Sequence, residues 1–356
     1  MAVAKRFLIT GLLSLSGAGG SMLFPASLLG AEDRPANSPW DTDCLIQQME
    51  HADDSTNVQT LRERCRKTDT QTSDAETRSP ASETPVARPE DTKLGQRLAE
   101  EDRQKHDQFS VLSHRPNYLM VGAYNFSGTS DKAGLVNDAE QLDDLEVEIQ
   151  LSLKVALGED LLGLNDHLYV GYTNRSFWQA YNQDMSSPFR ETNHEPEIWI
   201  GFENRWDILG WRNRMIDVGL SHHSNGRSDP YSRSWNRVYL RAVFEKENST
   251  IAIKPWLRLP ERTAQDDNPD ITHYMGHSQF RFVTNQDDHQ LSVMARNNFR
   301  FDGDKNKGAV ELGYSYPIHR NVNAYVKWFY GYGETLIDYN VRNNRLSFGI
   351  QLGGWL

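Results

Sequence analysis

Three things are scarce in this sequence. It holds only 2 cysteines in 356 residues, too few for a disulfide framework. It has no surplus of basic charge. Its 38 Lys and Arg stand against 49 Asp and Glu, a net charge of −11, which argues against nucleic acid as a partner. It also lacks long apolar runs. Phe7–Ala31 is the one long uncharged stretch, and no other window approaches the ~20 apolar residues of a membrane-spanning helix. The mean hydropathy of −0.68 agrees. These absences leave one membrane architecture open. The strands of a transmembrane β-barrel alternate polar and apolar residues and average out as hydrophilic.

The N-terminus reads as an export signal. Lys5 and Arg6 precede an apolar core, Phe7–Leu15, and small residues follow. Residues 1–31 are assigned to this signal, with cleavage after Ala31 or after Ala18. Residues 32–116 form a polar, periplasmic N-terminal region. Within it, Thr68 to about Thr92 is rich in Ser, Thr, Asp, Glu and Pro and cannot bury enough surface to offset chain entropy. It reads as a linker. Leu94–Gln108 reads as a short helix or as solvated coil. Cys44 and Cys65 lie in this region. In an oxidising compartment the default for such a pair is a disulfide staple, because a metal site on them needs more ligands than His51 supplies.

From residue 117 to 356 the texture changes to a repeated period of two. In Leu145–Leu157 every odd residue is apolar, against Glu146, Glu148, Gln150, Ser152 and Lys154. That is a strand with one oily and one wet face. Twelve such strands are expected, at about 118–127, 143–157, 166–179, 196–206, 213–226, 234–246, 249–259, 273–285, 290–299, 308–318, 322–333 and 344–355. The loops between them alternate long and short. An even count, ~10-residue strands and this alternation describe an all-β, twelve-stranded antiparallel transmembrane barrel of the Gram-negative outer membrane. Trp178, Trp199, Trp206, Trp211, Trp235, Trp256, Phe329 and Tyr330 near strand ends are expected to form its aromatic girdles. The competing fold is a soluble β-sandwich or a lipocalin-like barrel.

The fifth and sixth strands carry polar residues on the oily face. Ile216, Val218 and Leu220 point to lipid, and the same parity continues to His222 and Ser224. On the sixth strand Phe244, Ala242, Leu240 and Val238 lead to Asn236. If the connecting loop centres near Asp229, His222 lies opposite Asn236, with Cβ atoms ~5 Å apart. A His between a hydroxyl and an amide has the logic of nucleophile, base and orienter. A neutral orienter suits a lipid-facing position, where an ionised carboxylate is costly. His-x-Ser alone is a common chance pair, and polar residues at a barrel rim commonly just face headgroups.

The surrounding motifs are long and specific. HHSNGRSDPYSRSWNR (His222–Arg237), SSPFRETNHEP (Ser186–Pro196), KPW (Lys254–Trp256), DDNPDITHYMG (Asp266–Gly276) and GYGETLIDYN (Gly331–Asn340) together closely resemble the outer-membrane phospholipase A family, over about Asn117 to Leu356. The resemblance implies a calcium-dependent hydrolase of phospholipid and lysophospholipid acyl esters, with A1 and A2 specificity, active as a homodimer. It implies Ser224 as nucleophile, His222 as base, Asn236 as orienter and the Gly226 amide at the oxyanion. It implies Ca²⁺ on the Arg227 carbonyl, the Ser232 hydroxyl, Asp267 or Asp229, and the Ser186 carbonyl of a second subunit. Asn174 departs from the family's Gln at a position buried between subunits, which puts the tightness of the dimer in doubt. The competing readings are a passive pore, with Arg237, Arg241 and Glu245 lining it, and a soluble periplasmic esterase.

Overall fold

The computed structural model describes residues 92–105, 110–135, 141–262 and 266–352. The expected signal peptide, the Cys44–Cys65 disulfide and all of the linker but Thr92 lie outside the described residues. The elements in chain order are α1 (Lys93–Lys105), β1 (Val111–Ser113), β2 (Asn117–Asn125), β3 (Leu145–Glu159), β4 (Asp166–Trp178), β5 (Phe189–Glu203) and β6 (Asp207–Ile208). They continue with β7 (Trp211–Ser224), β8 (Ser234–Lys246), β9 (Ser249–Arg258), α2 (Ile271–Met275), β10 (Ser278–Gln286), β11 (His289–Asn297), β12 (Gly308–His319), β13 (Val322–Tyr332) and β14 (Arg342–Leu352). The twelve long strands pair antiparallel, neighbour to neighbour, and β2 pairs with β14 to close the barrel. The short β1 and β6 only edge it.

The barrel is inverted relative to a soluble protein. Val218 is 47% and Leu220 49% exposed on β7, while Asp217 before them and Ser221 after them are buried. An apolar exterior of this kind is stable where the solvent is hydrocarbon and not water. Charge fills the interior instead. Glu146 joins Arg190 at 2.7 Å and Arg345 at 3.0 Å, and Arg345 also meets Glu334 at 3.0 Å. Glu148 meets Arg175 at 2.7 Å and also Lys327. Glu197 holds Lys254 at 2.7 Å and His114 at 3.0 Å. Buried charges need such partners, since either member alone is costly to strip of water.

Helix α1 sits at the mouth that carries the short turns. Glu101 pairs with Lys154 of β3 at 2.7 Å, and Arg97 donates to the Ser113 carbonyl at 2.8 Å. Just before the helix, Thr92 donates to Glu245 of β8 at 2.8 Å. At the outer mouth, Ile271 and Met275 of α2 pack with Trp199, Trp235, Trp256, Leu336 and Tyr339 in one apolar cluster. Between the two plugs lies a cavity of about 290 Å³, lined among others by Arg97, Arg115, His223, Arg241 and Glu311.

Three expectations are corrected. The eighth strand does not begin at 273. Ile271, Tyr274 and Met275 recur at helical spacing, and the segment turns into α2 before β10 opens at Ser278. The fourth strand begins seven residues early, at Phe189, because Glu191, Asn193 and Glu195 extend its buried wet face. Finally, Trp199, Trp235, Trp256 and Phe329 are not girdle residues. All four are buried in the interior, whereas Trp206 and Tyr330 are exposed as expected.

Candidate active site

The site is built on the outer ends of β5, β7 and β8. The β7–β8 register pairs His222 with Asn236, and the β5–β7 register pairs His194 with Ser224. All four residues share the outward parity. His222 Nδ1 lies 2.8 Å from Asn236 Oδ1. An amide oxygen can only accept, so Nδ1 carries the proton and Nε2 keeps a free lone pair. The Asn236 amide nitrogen donates to Glu261 Oε1 at 3.1 Å, which fixes which end of the amide faces the ring. His223, the residue between the expected pair, points inward and accepts from Trp235 Nε1 at 3.2 Å.

Ser224 is half-buried on the same face, two residues from His222. Among the described residues its hydroxyl has no hydrogen bond to His222. Hydrogen bonds between a hydroxyl and its base often tighten only around the reacting group. The chain then turns through Gly226, whose φ of +65° suits glycine. The amide of Gly226 therefore follows Ser224 by two residues, on a turn that leaves it unpaired in any ladder.

His194 was not among the expected site residues. Its Nδ1 lies 2.6 Å from the Tyr172 hydroxyl and 3.4 Å from the Asn174 amide nitrogen. The amide nitrogen can only donate, so Nδ1 accepts and Nε2 bears the hydrogen. That nitrogen lies 3.8 Å from where a side chain on Gly226 would begin. Asn174, the departure noted in the sequence, also accepts from Ser176 at 3.0 Å. Its amide is thus engaged within its own chain.

Asparagines shape the loop. Asn225 accepts from the Arg233 amide at 2.9 Å and donates to the Tyr231 carbonyl at 2.9 Å, spanning the β7–β8 connection. Buried Asn268 accepts from the Ser234 amide at 2.9 Å. Asp266 takes Arg258 at 2.6 Å. These contacts draw the 266–268 segment onto the start of β8, where the Ser232 hydroxyl donates to Asp267 Oδ2. No group of three or more His, Cys, Asp and Glu gathers as a metal cage among the described residues. The expected calcium set does not need one. It joins one carboxylate to hydroxyl and carbonyl oxygens, the hard donors calcium takes, and Ser232 and Asp267 already meet. Arg227 is anchored through its guanidinium to the Ala133 and Arg190 carbonyls at 2.9 and 2.6 Å. Ser186 stands apart, exposed in a turn at φ +56°. Asp229 is exposed in the Ser228–Tyr231 turn and joins neither Ser232 nor Asp267.

The family model described as Phospholipase A1 matches residues 94–352. The chain is 40% identical over 252 residues to the Phospholipase A1 of Escherichia coli K12, covering 70% of this chain and 84% of that one. It is 38% identical over 251 residues to a putative phospholipase A1 of Neisseria meningitidis serogroup B, covering 67% of this chain and 64% of that one. Among solved structures, outer membrane phospholipase A from Escherichia coli superposes with a TM-score of 0.65 at 40% identity, over 70% of this chain and 95% of that one. The Salmonella typhi outer membrane phospholipase dimer with bound calcium gives 0.65 at 38% identity with the same coverage.

Proposed function

The chain belongs to the phospholipase A1 family, and from that premise we propose how this barrel cleaves lipid. It is an outer-membrane enzyme that hydrolyses phospholipid. The finer reading is calcium-dependent cleavage of phospholipid and lysophospholipid acyl esters by Ser224, His222 and Asn236, in a homodimer. The organisation proposed with it is an exported chain, with 1–31 removed, a periplasmic region over 32–116 and the barrel over 117–356.

One observation carries the chemistry. The His222–Asn236 pair lies on the apolar outer surface, where an acyl chain resides, and not in the lumen. Ser224 Oγ attacks the ester carbonyl and passes its proton to the free Nε2 of His222. The Asn236 oxygen steadies the ring while it is positively charged. The proton then goes to the departing lipid alkoxide, and water repeats the sequence on the acyl-Ser224 ester. The Gly226 amide faces the oxyanion. Calcium, when bound by Ser232, Asp267, the Arg227 carbonyl and the Ser186 carbonyl of a second subunit, supplies positive charge beside that oxygen.

The passive-pore reading has less support. Arg237 and Arg241, which would line such a pore, are tied to Glu195 and Asp217, both at 2.5 Å, and α1 and α2 crowd the two mouths. The test is hydrolysis of phospholipid micelles by the refolded chain, with and without a calcium chelator. The expected result is acyl release that stops on chelation and is absent in Ser224→Ala. Release that persists in Ser224→Ala refutes the nucleophile, and release unchanged by chelation removes calcium from the mechanism.

A further inference from the structure

We propose that Glu261 is a positioning residue of this enzyme, holding the Asn236 amide in the one orientation that makes His222 a base. This rests on the triad reading above and adds a fourth member to it. Asn236 has two faces that differ only by exchange of oxygen and nitrogen. With oxygen towards His222, Nδ1–H donates and Nε2 is free to take the Ser224 proton. Turned by 180°, the amide nitrogen meets Nδ1. It then selects the tautomer with hydrogen on Nε2, which cannot accept that proton.

Nothing in the triad decides between the two. Glu261 does, because its carboxylate can only accept, and it takes the amide nitrogen at 3.1 Å. Two features hold it there. The Leu259 amide donates to the Asn236 carbonyl at 2.8 Å, which ties the chain after β9 to the same residue. Pro260 then fixes the next φ, so Glu261 arrives from a braced backbone and not from a free side chain alone. The arrangement also refines the argument for a neutral orienter. The residue touching the imidazole is uncharged, while the negative charge sits one hydrogen bond further back, partly exposed at the rim, where water lowers its cost.

Glu261→Gln and Glu261→Leu separate positioning from a general structural role. Gln keeps an oxygen for the Asn236 amide, and Leu removes it at similar bulk. The expected outcome is a kcat about five- to thirtyfold lower in Glu261→Leu, the loss of one charge-assisted hydrogen bond spread over two tautomers, with KM within about twofold. Glu261→Gln recovers most of that loss. In an Asn236→Ala background, Glu261→Leu changes kcat no further, since its effect passes only through the amide. The inference is overturned if Glu261→Leu keeps wild-type kcat, if Gln is as damaging as Leu, or if the Leu effect recurs in full in the Asn236→Ala background. Ser224→Ala and Asn236→Ala run alongside. If they leave hydrolysis intact, the triad reading has failed; if they reduce it and Glu261→Leu does not, only this inference has.

Discussion

Replacing Asn236 by Ala removes the acceptor from a 2.8 Å hydrogen bond on the reacting imidazole. In the resting enzyme that bond joins two neutral groups and contributes about 1 kcal/mol. In the transition state the ring is an imidazolium, and the same bond is worth about 1.5–3 kcal/mol. Only the difference, about 0.5–2 kcal/mol, accelerates the reaction. Freeing the ring to rotate adds up to about 1 kcal/mol. Together they give roughly 0.5–3 kcal/mol, a fall in kcat of about two- to 150-fold. KM should stay within about twofold, because the Asn236 amide is taken up by His222 and Glu261. The assay is initial-rate hydrolysis of mixed phospholipid–detergent micelles at saturating calcium, with folding checked by heat-dependent gel mobility. A fall of less than twofold refutes the orienter role. A loss as complete as that of Ser224→Ala also refutes it, since an orienter leaves the nucleophile and base in place.

Two further outcomes follow from the geometry. Asp267→Ala leaves Ser232 without its carboxylate neighbour and should raise the calcium needed for half-maximal activity by about tenfold or more, about 1.4 kcal/mol per decade. An unchanged calcium titration would remove Asp267 from the ligand set. Glu148→Leu takes from Lys327 its one carboxylate among the described residues and from Arg175 the nearer of two, leaving it only Glu334 at 3.8 Å, and should lower stability by about 3–5 kcal/mol. Activity per folded molecule should be unchanged, because these groups lie inside the wall from the site. Urea unfolding in detergent reads the first, and active-site titration the second.

The sequence carried the barrel because a wet interior and an oily exterior impose a strict period of two. The same parity placed His222 opposite Asn236 once the β7–β8 loop was centred near Asp229, and the register agrees. The same parity also governs the aromatic residues. Trp199 alternates with the lipid-facing Ile198 and Ile200, and this alternation, not proximity to a strand end, decides its interior position. The helix α2 was hidden for the opposite reason. In five residues, helical and strand periods are hard to separate. Glu261, Asn225 and Asn268 were not legible at all. They act from loops, where no periodicity exists, and their partners lie across the loop or on another strand. The place of His194 beside Ser224 depends on where β5 begins, and that is Phe189, seven residues before the expected start.

The most direct test of the lipid-facing nucleophile is covalent labelling. Folded protein in detergent is treated with a lipophilic sulfonyl fluoride, digested and mapped by mass spectrometry. The prediction is one label per chain on Ser224 with parallel loss of hydrolysis, and no label when His222 is replaced by Ala. A label on another residue, or full inactivation with Ser224 unmodified, would contradict it.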